Sequence, residues 1–385
     1  MSSQTIRRRT LGALAAATAV GALAVPATGV AGVAAIQDDV LTTAPLDSIP
    51  TRIDMVTQTK AKVTRIDILW SLVAPTQPAN PTDPNDPAYD WSRLDAIFTG
   101  LQTAGITPIV STYSTPDWAV AGAKTKYTTV YNPNAPRPAQ FAQFMQAVAT
   151  RYNGFFIPPG AVAPLPKVRH FEIWNEPNLK GFFRVGSKSS VAAYANLVKA
   201  AYPKIKLANS RAQVIAGVAG PRSTSGDGNV GARTWLNTLT ASKSLKFDAY
   251  SQHIYPSRGP LFRSKHYDKA FPTWRSLPEI FAALDQKRKG MKLYVTEAGY
   301  TTGSTDFRTV KVSKGQQKTF LKQLFSLPDV KGPRVAAVVW FNLQDNKDWP
   351  GGLITEAGVK KPAYSAFVSV AKKPIPGFLR STLKP

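Results

Sequence analysis

Lys-Val-Arg-His-Phe-Glu-Ile-Trp-Asn-Glu-Pro-Asn, residues 167–178, predicts a β-strand that runs into a loop carrying a glutamate. The valine, phenylalanine, isoleucine and tryptophan favour an extended strand, and the Asn-Glu-Pro triplet favours its end. Because side chains alternate along a strand, Glu172, Trp174 and Glu176 are predicted to share one face. Burying unpaired carboxylates is costly, so these glutamates indicate a functional site.

A second apolar run ends in the same way. Lys292-Leu-Tyr-Val-Thr-Glu-Ala-Gly predicts a strand with Glu297 at its C-terminal tip, 121 residues after Glu176. Retaining glycosidases use such a pair: one carboxyl protonates the departing oxygen, and the other attacks the anomeric carbon from about 5 Å away. A lone Asn-Glu-Pro is common where strands meet loops, so it is the pair that favours catalysis.

These two stretches resemble a known superfamily. Ile173-Trp-Asn-Glu-Pro-Asn178 together with Thr296-Glu297 is similar to clan A, the (β/α)8-barrel retaining glycosidases of the cellulase-like superfamily. The runs 112–119 and 253–255 are closest to the branch of β-xylosidases, iduronidases and related endoglycosidases. The resemblance implies Glu176 as the acid/base and Glu297 as the nucleophile.

The resemblance also implies a set of residues around the two glutamates. Arg65 matches an arginine that hydrogen-bonds near the nucleophile, and an ion pair that fills the barrel is compatible with this role. Tyr255 matches a tyrosine that contacts the nucleophile, and His253 is expected to line the substrate side. Asn175 is expected to hydrogen-bond the 2-hydroxyl of the sugar. Ordinary barrel packing is the alternative for the His-x-Tyr pair.

Two tryptophans are candidate sugar-stacking surfaces. Trp118 follows a predicted strand and offers a ring to a sugar, with a packed loop anchor as the alternative. Trp340 lies on the last predicted strand, and the resemblance implies that it forms the floor of the subsite beside the cleaved bond. The same resemblance places a cis peptide after it, between Trp340 and Phe341.

The chain as a whole predicts an α/β fold with one (β/α)8 TIM barrel. Short apolar runs alternate with helical segments, and this order requires parallel strands joined by crossover helices. Barrel closure is implied by the resemblance, and an open doubly wound sheet is the alternative. The barrel is expected over residues 28–371, followed by a basic tail at 372–385.

Residues 1–27 are typical of an export signal. Three arginines precede a run of small, apolar residues, and Val25-Pro-Ala27 offers a cleavage site. Arg8-Arg9-Thr-Leu11 also resembles a twin-arginine signal, so the Sec and twin-arginine routes both stay open. We expect a secreted protein, and association with the cell wall is compatible with this expectation. An uncleaved membrane anchor is the alternative, because residues 10–37 carry no charge.

Composition excludes several classes of site. The 385 residues contain no cysteine, which excludes disulfides, thiolate nucleophiles and cysteine-bound metals. The three histidines lack the spacing of a helical metal motif, so neither a metal nor a cofactor is predicted. A G-x-G-x-x-G sequence at 226–231 does not follow its strand directly, as a dinucleotide site would require.

The net charge is +25, with 48 basic against 23 acidic residues. The basic residues are dispersed rather than gathered in one run, which favours a general effect on solubility over a specific partner. An acidic polymer is the alternative partner, and nucleic acid ranks last.

The sequence therefore predicts an enzyme that hydrolyses a β-linked oligosaccharide or polysaccharide. The substrate can be neutral or anionic. A noncatalytic glycan-binding barrel and a transglycosylase using the same glutamates are the alternatives. The loops carry no code for the sugar, the linkage, or endo versus exo cleavage.

Overall fold

The computed structural model describes residues 32–187, 189–242, 244–305 and 310–373. The export signal expected at 1–27 and the tail beyond residue 373 lie outside this part of the chain. Within it, no helix has both the length and the apolar character needed to cross a membrane.

Eight parallel strands form a closed barrel in which each strand pairs with its neighbours in sequence order. This confirms the single (β/α)8 barrel, and barrel closure excludes the open doubly wound sheet. The strands are β1 Val33–Gln37, β2 Val63–Leu69, β3 Thr107–Tyr113, β4 His170–Ile173, β5 Gln213–Ala219, β6 Ala249–Gln252, β7 Lys292–Ala298 and β8 Val335–Phe341.

Helices connect the strands and form the outer layer. In chain order they are α1 Ile49–Gln58, α2 Trp70–Val73, α3 Ser92–Thr103, α4 Pro138–Arg151, α5 Ser190–Ala208, α6 Ala232–Ala241, α7 Lys265–Ala270, α8 Leu277–Asp285, α9 Lys314–Leu324, α10 Pro328–Lys331 and α11 Pro362–Ala371. Their apolar faces cover the outside of the strands and form the larger of the two cores.

The barrel interior changes from apolar to polar along the strands. Its apolar layer contains mainly alanine and β-branched side chains, together with Tyr294. Strand β2 shows the transition, because Val63 belongs to this layer while the next inward positions are Arg65 and Asp67. The polar side chains thus gather toward the carboxyl ends of the strands, where barrel enzymes build their sites.

The strand register aligns part of this polar layer. Asp67 on β2 pairs with Ser111 on β3, and Ser111 pairs with Glu172 on β4. Gln37 on β1 pairs with Arg65. Four consecutive strands therefore present polar side chains at neighbouring levels of the barrel.

Candidate active site

Arg65 is the centre of the polar layer, and all of its N–H groups have acceptors. Its Nε donates to Glu172 at 2.7 Å, and Nη1 donates to Gln37 and Glu297, both at 2.9 Å. Its Nη2 donates to Ser111 and to Asn175, both at 2.8 Å. Arg65 is fully buried and its pKa is raised, because the adjacent carboxylates outweigh the cost of burying the guanidinium. The arginine both fills the barrel and orients the site.

Glu297 lies at the end of β7 between two donors. Its Oε1 accepts from Arg65, and its Oε2 accepts from the Tyr255 hydroxyl at 2.9 Å. Burial raises the pKa of Glu297 to about 7, and the Arg65 charge opposes this rise. The sequence analysis anticipated this geometry for Arg65 and Tyr255. Their roles in turnover stay predictions.

Glu176 lies beyond the end of β4, where the strand geometry has already stopped. The backbone φ angle is 71° at Trp174 and 42° at Glu176, so both residues adopt left-handed conformations. The expectation that Glu172, Trp174 and Glu176 share one face is therefore wrong. Trp174 packs outward against Phe141 and donates its indole N–H to the Phe182 carbonyl. This turn leaves Glu172 in the barrel interior and places Glu176 in the cleft.

His253, just after β6, contacts both candidate catalytic glutamates. Its Nδ1 is 2.8 Å from Oε1 of Glu176 and 3.5 Å from Oε2 of Glu297. Burial lowers the pKa of His253, so the ring is neutral at pH 7. The pKa of Glu176 is raised to about 7, also by burial. A neutral ring that donates Nδ1–H to Oε1 leaves Oε2 of Glu176 to carry a proton.

The two glutamates are close enough to act on one bond. Oxygens of Glu176 and Glu297 and a ring nitrogen of His253 all lie within 4.8 Å of one another. Among the described residues, this trio is also the group that could hold a metal ion. Arg65 and Tyr255 each donate to one oxygen of Glu297, so the trio has the hydrogen-bond donors that acid–base chemistry requires.

The position of Glu176 depends on a close approach that the sequence analysis missed. A Cβ placed on Gly220, just after β5, would come within 2.9 Å of the Glu176 carboxyl carbon and 2.5 Å of Leu179. The Asn178 side chain accepts from the Gly220 N–H at 2.6 Å and donates to the Gly220 carbonyl at 3.2 Å. Asn178 was visible in the Asn-Glu-Pro-Asn run, whereas Gly220 carried no local signal.

Trp118 adopts the packed-anchor arrangement. Its ring meets Trp70 edge-on at 5.4 Å, and its indole N–H donates to the Ala74 carbonyl at 2.9 Å. It is half-buried against the outer core. These contacts fix the loop after β3, and the sugar-stacking role stays a prediction.

Trp340 is not on the inner face of β8. It is fully buried in the helix-facing core, and its indole N–H donates to Gly351 at 3.2 Å. Val339 points inward, so alternation sends Trp340 outward. The expected cis peptide after Trp340 is also wrong, because the cis bond joins Phe341 and Asn342. The floor role assigned to Trp340 is therefore overturned by the direction of its side chain.

Other aromatic rings line the cleft in its place. Trp349, in the loop after β8, packs against Phe341 at 5.9 Å and against Tyr255, the Glu297 partner, at 4.9 Å. On the opposite side, Tyr131 stacks on Phe182 at 5.0 Å. Burial raises the pKa of Tyr131, and the Glu176 and Glu297 charges add to this rise, which places the ring near the pair. Of these rings, the sequence analysis assigned only Tyr255 to the site.

A third acidic group lies beside the pair. Asp67 accepts from Gln37 at 3.2 Å and from the Tyr113 hydroxyl at 3.0 Å, both through Oδ2. The pKa of Asp39, just after β1, is raised to about 7 by burial and by the Asp67 charge. This part of the cleft therefore disfavours additional negative charge.

Comparison with known proteins agrees with this geometry. Residues 69–306, more than half of the chain, match the family model of glycosyl hydrolases family 39. A monomeric β-xylosidase from Caulobacter crescentus CB15 has 18% sequence identity, with 89% of this chain and 70% of that chain covered at a TM-score of 0.62. A family 39 enzyme from Xanthomonas axonopodis pv. citri has 19% identity, with 89% and 67% covered at a TM-score of 0.59.

The likeness extends beyond one family. A family 1 β-glucosidase from Thermotoga maritima has 14% identity, with 89% of this chain and 97% of that chain covered at a TM-score of 0.56. At these identities the structural matches establish the fold, and the family assignment rests on the match over residues 69–306. With its closed barrel, the chain is an O-glycosyl hydrolase of clan A and belongs to glycosyl hydrolases family 39.

Proposed function

We propose that this enzyme hydrolyses a β-linked glycoside by double displacement, with Glu297 as the nucleophile and Glu176 as the acid/base. The observation that carries the proposal is the approach of the Glu176 and Glu297 oxygens to within 4.8 Å of each other. Retaining enzymes separate their carboxyls by about 5 Å, whereas inverting enzymes leave roughly 6.5–9.5 Å for a water. This spacing favours direct attack by a carboxylate.

The contacts of each glutamate support this division of roles. Burial raises both pKa values to about 7, and the Glu176 charge adds to the rise at Glu297, so the pair carries about one proton near neutral pH. Arg65 and Tyr255 donate directly to Glu297 and favour its ionised form. The proton therefore resides on Glu176.

The first step forms one bond and breaks another. The Glu297 carboxylate attacks the anomeric carbon, while Glu176 transfers its proton to the leaving oxygen. Glu297 loses its charge in the resulting ester, so the pKa of Glu176 falls and its carboxylate becomes a base. It then removes a proton from water, the water attacks the anomeric carbon, and Glu297 is released as a carboxylate.

Asn175 is the proposed donor to the sugar 2-hydroxyl. Its Oδ1 accepts from Arg65, which fixes the orientation of the amide. The Nδ2 group is then free to donate to the 2-hydroxyl, a contact that strengthens as the oxocarbenium-like state develops. Arg65 thus orients both the nucleophile and the residue proposed to bind the sugar.

We further propose an uncharged sugar at the subsite next to the cleaved bond. Asp67 and Glu172 lie beside the pair, Asp39 lies next to Asp67, and Arg65 already pairs with Glu172 and Glu297. A carboxylate or phosphate on this sugar would meet further negative charge. Because one structural neighbour is a β-xylosidase, an aryl β-xyloside is the first substrate to test.

The test is intact-protein mass spectrometry after incubation with a panel of 2-deoxy-2-fluoro β-glycosides. We expect a covalent adduct on the peptide that contains Glu297, and the sugar that reacts identifies the subsite. Glu297→Gln is the matched control and should form no adduct. An inverted product anomer, or near-normal turnover by Glu297→Gln, would overturn the mechanism.

We also propose export of the enzyme, on the basis of the arginines and the apolar run in residues 1–27. Mass spectrometry of the N-terminal peptide from culture medium tests this. Residues 1–27 retained on a cell-associated protein would favour the anchor instead.

A further inference from the structure

The two ends of the barrel differ in charge. We define the cleft end as the loops that follow the strands, and the base as the segments that lead into them: 59–62, 104–106, 152–169, 209–212, 242–248, 286–291 and 325–334. Among the described residues, the cleft end, taken as 38–48, 70–91, 114–137, 174–189, 220–231, 253–276, 299–313 and 342–361, contains 15 basic and 13 acidic residues. The base contains 11 basic and 2 acidic residues. The excess of basic over acidic residues is therefore larger at the base, 9, than at the cleft end, 2.

Three basic residues of the base lie close enough to repel one another. Arg169 and Arg211 both lower the pKa of Lys167, after the larger effect of burial. Arg211 likewise lowers the pKa of Arg169. The backbone brings the two segments together, because the Gln213 N–H donates to the Arg169 carbonyl at 2.6 Å. Like charges held in proximity favour binding of an anionic partner.

The base also exposes apolar side chains next to these charges. In segment 152–169, Phe155 is 79% exposed, Ile157 is 52% exposed and Val162 is fully exposed. The Lys167 ammonium lies 5.8 Å from the centre of the Phe155 ring. Leu207, at the end of α5, is 72% exposed. An exposed group of this kind between cations is typical of a surface that enters a lipid interface.

The chain enters the barrel at this end. Gly32 donates its N–H to the Val330 carbonyl in α10, directly before β1 begins. The 31 residues that precede it include the uncharged run that starts at Thr10. An uncleaved membrane anchor, the alternative to a cleaved export signal, would therefore join the protein on the side that carries the excess positive charge.

We propose that the base docks on an anionic lipid bilayer, with the exposed side chains of segment 152–169 in the headgroup region. The strand ends with the glutamate pair then face away from the lipid, toward the polysaccharide outside. A soluble polyanion would bind only the basic side chains of the base. The exposed Phe155, Ile157 and Val162 give the bilayer a contact that such a polymer does not need. This proposal is independent of the catalytic roles.

The absence of cysteine makes a direct test practical, because one introduced thiol is labelled uniquely. In the full chain, Val162→Cys carries an environment-sensitive dye, and Val130→Cys, 63% exposed at the cleft end, is the matched control. Phosphatidylglycerol-containing vesicles should shift the Val162 dye to the blue and leave the Val130 dye unchanged. Neutral phosphatidylcholine vesicles should shift neither dye.

Charge reversal then distinguishes vesicle binding by the base from vesicle binding by the N-terminal segment, because every variant retains that segment. Lys167→Glu/Arg211→Glu should weaken the apparent vesicle affinity at least tenfold and should leave hydrolysis of a soluble aryl glycoside unchanged. Lys126→Glu/Arg263→Glu changes the net charge equally at the cleft end and should retain binding.

Three results would overturn the proposal. The first is a Val162 dye that does not respond to anionic vesicles. The second is equal weakening by the two charge-reversal variants, which would mean that only net charge matters. The third is a response to dextran sulfate or duplex DNA without a response to vesicles, which would assign the base to a soluble polyanion.

Discussion

The two ends of this barrel use charged residues in opposite ways. At the cleft end, Arg65, Glu176 and Glu297 are buried together, so their energies depend on individual hydrogen bonds and on desolvation. At the base, Lys167 and Arg211 are not buried, and their effect depends on accumulated charge. From this comparison we expect a single substitution to change activity or stability strongly at the cleft end and weakly at the base.

The largest expected effect is at the nucleophile. Glu297→Gln should reduce kcat/KM on the order of 10⁴-fold or more, because an amide cannot form the glycosyl ester. Steady-state kinetics on the aryl glycoside identified by the inhibitor panel measures this. Asp329→Asn makes the same chemical change at the base and should retain full activity. Similar losses in both variants would remove the distinction between the two ends.

A glycine at the cleft end should be almost as sensitive. Gly220→Ala places a methyl group 2.9 Å from the Glu176 carboxyl carbon, so the acid must move. We expect kcat to fall by about 10- to 100-fold. Gly181→Ala, where a Cβ meets no atom within 4 Å, is the matched control and should have little effect. A Gly220→Ala enzyme with normal kcat would show that the acid tolerates displacement.

Burial of Glu176 should also lower the free energy of unfolding at high pH. Folding raises the pKa of Glu176 from 4.5 to about 7, so the folded state resists ionisation and loses stability as pH rises from 4.5 to 7. Glu176→Gln removes this penalty and should be more stable than the natural enzyme by about 3 kcal/mol at pH 8. Denaturant unfolding at pH 4 and pH 8 measures the difference. A gain of equal size at pH 4 would exclude ionisation as its cause.

The smallest expected effect concerns the base. Arg211→Ala removes a charge that repels Lys167 and Arg169, and should stabilise the fold by about 0.5 kcal/mol at low ionic strength. High salt should abolish the gain, because exposed charges are screened. Arg263→Ala at the cleft end serves as the control. Destabilisation by Arg211→Ala would show that packing of its side chain outweighs the repulsion.

Position along the strands made much of the site predictable. Arg65 follows an inward valine by two residues, and Glu297 ends a strand, so alternation and strand order bring them together. The structure confirms the barrel and gathers Arg65, Asn175, Glu176, His253, Tyr255 and Glu297 in one place. Family 39 membership confirms the enzyme class.

The errors arose where alternation was applied past the end of a strand or was not applied at all. The left-handed backbone of Trp174 turned its ring outward, although counting from Glu172 had placed it inward. Trp340 shows the reverse case. The resemblance placed it in the cleft, whereas strand parity alone would have assigned Phe341 to the inner face.

The sequence by itself determined the order of strands and helices, the strand-end glutamates and the inward position of Arg65 on β2. These follow from local propensity and from a period of two, which neighbouring residues encode. Only the tertiary structure decided that His253 contacts Glu176, that Gly220 limits the room for the acid, and that the base has a larger excess of positive charge than the cleft end. Each of these depends on distances between residues far apart in the chain, which barrel closure sets and no local pattern contains.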